Sequence, residues 1–286
     1  MEAHMEKTKG MIGKTVIITG ANSGIGKQTA LELARSGARI VLAGRESPKS
    51  QAAHEELLAA APGAQLELRA LDLSSFESIR NFTGGIARDI DRIDVLLNNA
   101  GTMPKRLQLT ADGFEAQIGI NHLGHYLLTR LLLPKLQAGH EARIIHVSSM
   151  LHTRGDIDFE NFRGQKGYKT FDAYYQSKLA NVLFSNELAR RLEGSQVTSN
   201  ALHPGGIQTD IMRDNNFLIR WITRLMFKPV TEGAKTSVML ASDPELAGVS
   251  GRYFDQCEEK PPGGKALDPE LADRLWKHSA ELVGMD

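Results

Sequence analysis

Residues Lys14–Gly37, KTVIITGANSGIGKQTALELARSG, read as a strand run directly into a helix through a turn built of glycine. KTVIIT (Lys14–Thr19) is short, apolar and β-branched, the pattern of a parallel strand buried on both faces. KQTALELARSG has helical spacing, and Gly37 closes it at a C-cap position. A glycine-rich turn by itself is as often only a turn. Between a strand and a helix it lets the backbone approach a pyrophosphate, beneath free N–H groups and a positive dipole end. Gly20, Asn22, Ser23, Gly24, Ile25 and Gly26 are the candidate cradle.

RIVLA (Arg39–Ala43) completes a βαβ unit. An acidic residue after such a strand would take a ribose 2′-hydroxyl. Here Gly44-Arg45 follows, with Lys27 nearby in the turn, and an arginine there suits a 2′-phosphate. A solvated loop arginine is the plainer alternative. The residues therefore favour NADP(H).

The rest of the chain alternates in the same way. Pro48–Ala60 reads as a helix and Gln65–Ala70 as a third strand leading into Asp72-Leu73. Ser74-Ser75 caps a helix to about Asp89, weakened at Gly84-Gly85. Asp94–Leu97 is a fourth strand ending in NNAG (Asn98–Gly101), a loop placed where ligands bind in parallel sheets, although the tetrapeptide alone decides nothing. Asp112–Leu136 reads as one long helix, with Asn121 inside it as a polar group that needs a partner. Arg143–Val147 is a fifth strand ending in Ser148-Ser149, and a long polar insert to Thr170 follows. Then come a helix to about Leu192, a sixth strand Thr198–His203 with the turn HPGGIQT, a helix capped by Thr231, a last strand near Gly251–Phe254 and a terminal helix from Pro269 to Leu282. The pattern implies one α/β domain over residues 11–286, a doubly wound parallel sheet of about seven strands with helices on both faces, after a frayed tail of residues 1–10.

Net charge is zero with no block of like charges, which argues against a nucleic-acid partner. A single cysteine, Cys257, rules out an internal disulfide and fits a reducing, cytoplasmic setting. No apolar run reaches the length of a membrane span. Within residues 211–230, Asn215–Lys228 places Phe217, Trp221 and Met226 near one helical face and Arg220, Arg224 and Lys228 on another. It reads as a lid over a greasy pocket resting peripherally on anionic headgroups, or equally as a helix packed on the core.

In TFDAYYQSKLANVLF, Tyr174 and Lys178 stand one helical turn apart on one face. A neighbouring ammonium lowers a phenol's pKa and makes it usable as an acid or base. Tyr175 has Leu179 at the equivalent distance and cannot play this part. A pair of this spacing alone is usually an ordinary surface pair; its company decides.

With TGANSGIG, Asp72-Leu73, NNAG, Asn121, Ser149, Tyr-x-x-x-Lys and Pro204-Gly205 in this order, the chain resembles the short-chain dehydrogenase/reductases from Lys14 to about Phe254. NHLGHYLLT, FENFRGQKGY, SKLANVLF and SGRYF are similar to the retinol dehydrogenase-like group. The resemblance implies a catalytic tetrad of Asn121, Ser149, Tyr174 and Lys178. It implies cofactor contacts at Asp72, Leu73, Asn99, Ala100, Gly101, Pro204, Gly205, Ile207 and Thr209, besides the glycine turn, Arg45, Tyr174 and Lys178. Tyr174 would exchange the proton, Ser149 would orient the carbonyl, Lys178 would hold the ribose, and Asn121 would hold a relaying water. The implied reaction interconverts a small lipophilic alcohol and its carbonyl, retinol/retinal-like, with steroid, xenobiotic or porphyrin-like substrates as the alternative. An idle NADP-binding scaffold is the rival of another class. Subunits would pair as a homodimer through the Asn121 and Tyr174 helices.

Overall fold

The apolar residues of the strands divide by parity. Ile17, Leu96, Ile144, Ala201 and Tyr253 belong to one buried cluster, and their neighbours Ile18, Leu97, Ile145, Leu202 and Phe254 to another. Successive side chains on a strand point to opposite faces, so two separate cores mean a sheet covered on both sides. The computed structural model describes residues 8–205 and 229–285 and has this architecture.

In chain order the elements are β1 (Thr15–Thr19), α1 (Gly24–Arg35), β2 (Arg39–Gly44), α2 (Pro48–Ala60), β3 (Leu66–Ala70), α3 (Phe76–Asp89) and β4 (Val95–Asn98). Next come α4 (His125–Gln137), β5 (Arg143–Val147), α5 (Thr170–Arg191), β6 (Thr198–His203), α6 (Val230–Ser242), β7 (Tyr253–Asp255), β8 (Glu258–Lys260) and α7 (Pro269–Val283). Among the described residues the strands form one sheet in the order β3-β2-β1-β4-β5-β6-β7-β8. All pairs are parallel except β7 with β8. The order reverses between β1 and β4, which opens a crevice at the carboxyl ends of those strands. Residues of α3, α4, α5 and α7 cover one face, and residues of α1, α2 and α6 cover the other.

Several sequence expectations need correction. The sheet has eight strands rather than seven, because Gln256 and Cys257 both take positive φ and turn the chain back into an antiparallel β8. Thr231 lies inside α6, whose N-cap is Pro229. A 3-10 turn spans Thr8–Met11 and Met11 is buried, so the expected tail gives way to structure before residue 10. The long helix is not continuous from Asp112. One α-turn (Ala116–Ile118) leads into a π-helical turn (Gly119–Gly124) and only then into α4. The lid expected at residues 215–228 lies outside the described residues. No helix among the described residues is long and apolar enough to cross a membrane.

Helix α7 is seated on α4 and α5 through Trp276. Its ring lies 5.1 Å from Tyr126 and 5.8 Å from Phe184, with the guanidinium of Arg130 at 4.8 Å and that of Arg191 at 4.5 Å. Any subunit pairing through the Asn121 and Tyr174 helices would have to accommodate α7. Trp276→Ala leaves a large void between two arginines and two rings. It is expected to cost about 3–5 kcal/mol of stability. A thermal melt checks this, with substrate preference expected to stay unchanged.

Candidate active site

The glycine turn forms the floor of the crevice. Gly20 has φ 67°, and a Cβ there would stand 2.9 Å from the Ala100 Cα. A Cβ on Gly26 would run into the Asn99 amide and the Gly20 carbonyl. Both positions therefore require glycine, and they bring the turn against the Asn99-Ala100 loop. Helix α1 starts at Gly24 with no side-chain cap, whereas Ser47 caps α2 and Ser75 caps α3. Its first N–H groups are left for an anion.

This turn opens onto a cleft of about 650 Å³. Gly20, Asn22, Ser23, Gly24, Ile25, Gly26, Arg45, Asp72, Leu73, Asn99, Ala100, Gly101, Tyr174, Lys178, Pro204 and Gly205 line it, so most of the expected contact residues are brought together. Ile207 and Thr209 lie outside the described residues. Lys27 is not on this wall: its ammonium pairs with Glu56 of α2. Lys49 lines the cleft near Arg45 instead, a contribution the sequence reading passed over. Its only available signal was a second cation four residues after Arg45. Arg45 is exposed, and its carbonyl accepts from Ser50 Oγ at 2.7 Å, which fixes the backbone there. Ser50 in turn accepts from the Asn22 amide at 3.2 Å, tying this loop to the glycine turn.

At the other end of the cleft, α5 brings Tyr174 and Lys178 to the tip of β5. Lys178 is 3% exposed, and its Nζ donates to the Val147 carbonyl at 3.1 Å and lies 5.6 Å from the centre of the Tyr174 ring. Burial pushes its pKa down to about 8. Ser149, two residues beyond the end of β5, places its side chain close enough to the Tyr174 phenol to favour the ionised form. Burial raises the phenol above its ordinary value, and Ser149 only partly offsets this. The expected lowering by Lys178 is therefore not what governs the phenol in this state: desolvation wins, and Tyr174 is held protonated.

Asn121 lies behind the cleft wall, fully buried in the π turn. Its Oδ1 accepts the Thr102 N–H at 2.8 Å, and its Nδ2 donates to the Thr102 carbonyl at 3.1 Å and to Ser177 Oγ at 3.0 Å. The partner that a buried asparagine demands is thus the backbone beyond Gly101 and the helix of Tyr174. Both amide protons are used within the protein. A water at this place could only donate to Asn121. The sequence reading also passed over Thr19 and Ser177, whose hydroxyls hold the Asn99 loop and Asn121. Nothing local marks either one, because each finds its partner only across the fold.

The chain matches the short chain dehydrogenase family model over residues 14–217. It belongs to the short chain dehydrogenases. This dehydrogenase is 49% identical to retinol dehydrogenase 13 of Homo sapiens over 283 residues, covering 96% of this chain and 86% of that protein. It is 45% identical to retinol dehydrogenase 14 of Homo sapiens, covering 96% and 88%. A crystal structure of a protein from Mycobacterium Paratuberculosis shares 38% identity and superposes with a TM-score of 0.77 over 96% of this chain and 94% of that one. The dehydrogenase is accordingly an oxidoreductase of alcohol and carbonyl groups that uses a nicotinamide cofactor, in a Rossmann-type fold.

Proposed function

We propose that this enzyme is an NADP(H)-dependent oxidoreductase that interconverts a lipophilic alcohol and its aldehyde or ketone, with retinoids as the leading substrate class. The observation that carries the reading is the meeting of Tyr174 and Lys178 at one end of a cleft whose other end is the glycine turn, with Ser149 behind that wall beside the phenol. The names of the 45–49% identical relatives support the retinoid class. When bound, the reduced nicotinamide supplies a hydride to the carbonyl carbon. Ser149 orients the carbonyl oxygen by hydrogen bonding, and Tyr174, held as the neutral phenol, delivers the proton that completes the alcohol. The reverse reaction returns that proton to Tyr174. Lys178 holds the ribose hydroxyls, and Asn121 braces the Gly101–Thr102 backbone. Assays of retinal, steroids and small aldehydes with NADPH and NADH, followed by cofactor absorbance, test the reading. Turnover of none of them with either cofactor would overturn it.

Cofactor preference rests on Arg45. It lines the cleft beside Glu46 and Lys49, and position 44, where an acid would take the ribose 2′-hydroxyl, is glycine. Arg45→Glu replaces attraction to the 2′-phosphate with repulsion. Loss of one charge-assisted hydrogen bond, about 1.5–3 kcal/mol, is expected to weaken NADPH by more than tenfold and to spare NADH. Titration of both cofactors checks this. An equal loss for both would make Arg45 a structural residue.

A further inference from the structure

A buried hydrogen-bond chain runs beneath the cleft from the cofactor side to the turn that carries Asn121. Thr19, the last residue of β1, is fully buried. Its hydroxyl accepts the N–H of Asn99 at 2.9 Å and of Ala100 at 3.0 Å, and lies 2.9 Å from His125 Nε2. Across the ring, His125 Nδ1 is 3.1 Å from the Asn121 carbonyl. A carbonyl only accepts, so Nδ1 carries the proton. Burial keeps the ring neutral, with its pKa pushed down to about 4. Nε2 is then a bare acceptor, and the Thr19 hydroxyl donates to it rather than along the longer 3.3 Å contact to the Leu97 carbonyl. Every donor in the chain has one acceptor. The bonds run in one sense, from the Asn99 and Ala100 amides through Thr19 to His125, whose other nitrogen donates to Asn121.

What lies at the far end makes this chain more than packing. Asn121 stands in a π turn, a rare geometry found mostly as a single turn within α-helices and often at functional sites. Its side chain reaches Thr102, next to Gly101, and Ser177, whose hydroxyl donates to the Tyr174 carbonyl at 2.9 Å. His125 is thus the single side chain that bonds both the Thr19 hydroxyl and the Asn121 backbone among the described residues.

We propose that His125 is a positioning residue that couples the Asn99–Gly101 cofactor loop to the π turn of Asn121, so that cofactor seating and the placement of the Tyr174 helix are set together. The proposal rests on the functional reading above.

The test uses the full chain and two readouts, NADPH affinity by equilibrium fluorescence and kcat for a carbonyl substrate. His125→Phe keeps the ring volume and makes neither bond. His125→Asn keeps an N–H near the position of Nδ1 but does not reach Thr19. His125→Phe is expected to raise the NADPH Kd and lower kcat by about tenfold each, the scale of one lost hydrogen bond in each direction. His125→Asn is expected to recover kcat to within about threefold while the Kd stays raised, a split that simple loss of packing does not produce. Thr19→Val should raise the Kd alike, and the double variant Thr19→Val/His125→Phe should be no worse than the poorer single one to within about twofold, as members of one chain behave. Both values within about twofold of wild type in His125→Phe would overturn the proposal. So would equal losses that His125→Asn does not relieve, or fully multiplicative losses in the double variant. If His125→Phe does not fold, His125→Asn and Thr19→Val decide by the same criteria. If the wild type binds no nicotinamide, the functional reading fails separately. Amide exchange at Asn99 and Ala100 then decides the coupling: faster exchange in His125→Asn supports it and unchanged exchange overturns it.

Discussion

Tyr174→Phe is expected to leave NADPH binding intact and to lower kcat by a factor on the order of 10²–10⁴, the usual contribution of a positioned general acid. The ring keeps its shape on α5, and what the hydroxyl gives up is its approach to Ser149. Its loss should cost only about 0.5–1.5 kcal/mol of stability. Single-turnover measurement separates the outcomes, because it reads the chemical step directly. A variant within about threefold of the wild-type rate would move the proton donor elsewhere and remove the centre of the proposed mechanism. The phenol's raised pKa bears on direction as well. A group held protonated is ready to donate, whereas oxidation of the alcohol first requires the phenolate, which burial disfavours.

Lys178→Met is expected to separate activity from stability with opposite signs. A nearly isosteric thioether removes the ammonium that would hold the ribose, so kcat and cofactor affinity should each fall by more than tenfold, as for loss of a charged hydrogen-bonding group. The fold should gain or hold its own, because a buried charge with no carboxylate partner among the described residues is replaced by an apolar chain. Val147 loses one donor but keeps the Asn181 amide at 3.2 Å. The pH dependence of stability supplies an independent check. Folding lowers the pKa of Lys178 from 10.5 to about 8. Between those values the unfolded chain binds a proton that the folded chain does not, so wild-type stability rises with pH across that window from this group. Below about pH 8 the charged, buried form carries its full penalty. Lys178→Met should abolish this slope, and its stability advantage should shrink as pH climbs from 8 to 10.5. Chemical denaturation at several pH values measures it. A variant less stable than wild type at neutral pH would show that the ammonium is compensated in a way the geometry does not contain.

The sequence by itself determined the elements whose cause is local. Pro48–Ala60, Arg143–Val147 and Thr198–His203 fall where the residues place them, the first as an alanine-rich run closed by Pro62-Gly63 and the second as a short apolar run. Parity along the strands dictated two cores, and glycine at positions 20 and 26 dictated the turn, since a Cβ at either would collide with the Asn99-Ala100 loop or its neighbours. The i, i+4 spacing was enough to put Tyr174 and Lys178 on one face. Only the tertiary structure decided features whose cause lies far along the chain. The π turn has no local signature: Asn121 is drawn to Thr102 and Ser177, and His125 to Thr19, a residue 106 positions away. Strand β8 is the charged segment Glu258–Lys260, which no apolar pattern announces and which exists because a positive-φ turn lays it against β7. Lys27 was available to a phosphate in the sequence, and the approach of α2 gave it to Glu56. The phenol of Tyr174 was expected to be lowered by its neighbour and is raised instead. A charge pair can be read from spacing, but desolvation depends on everything packed around the group.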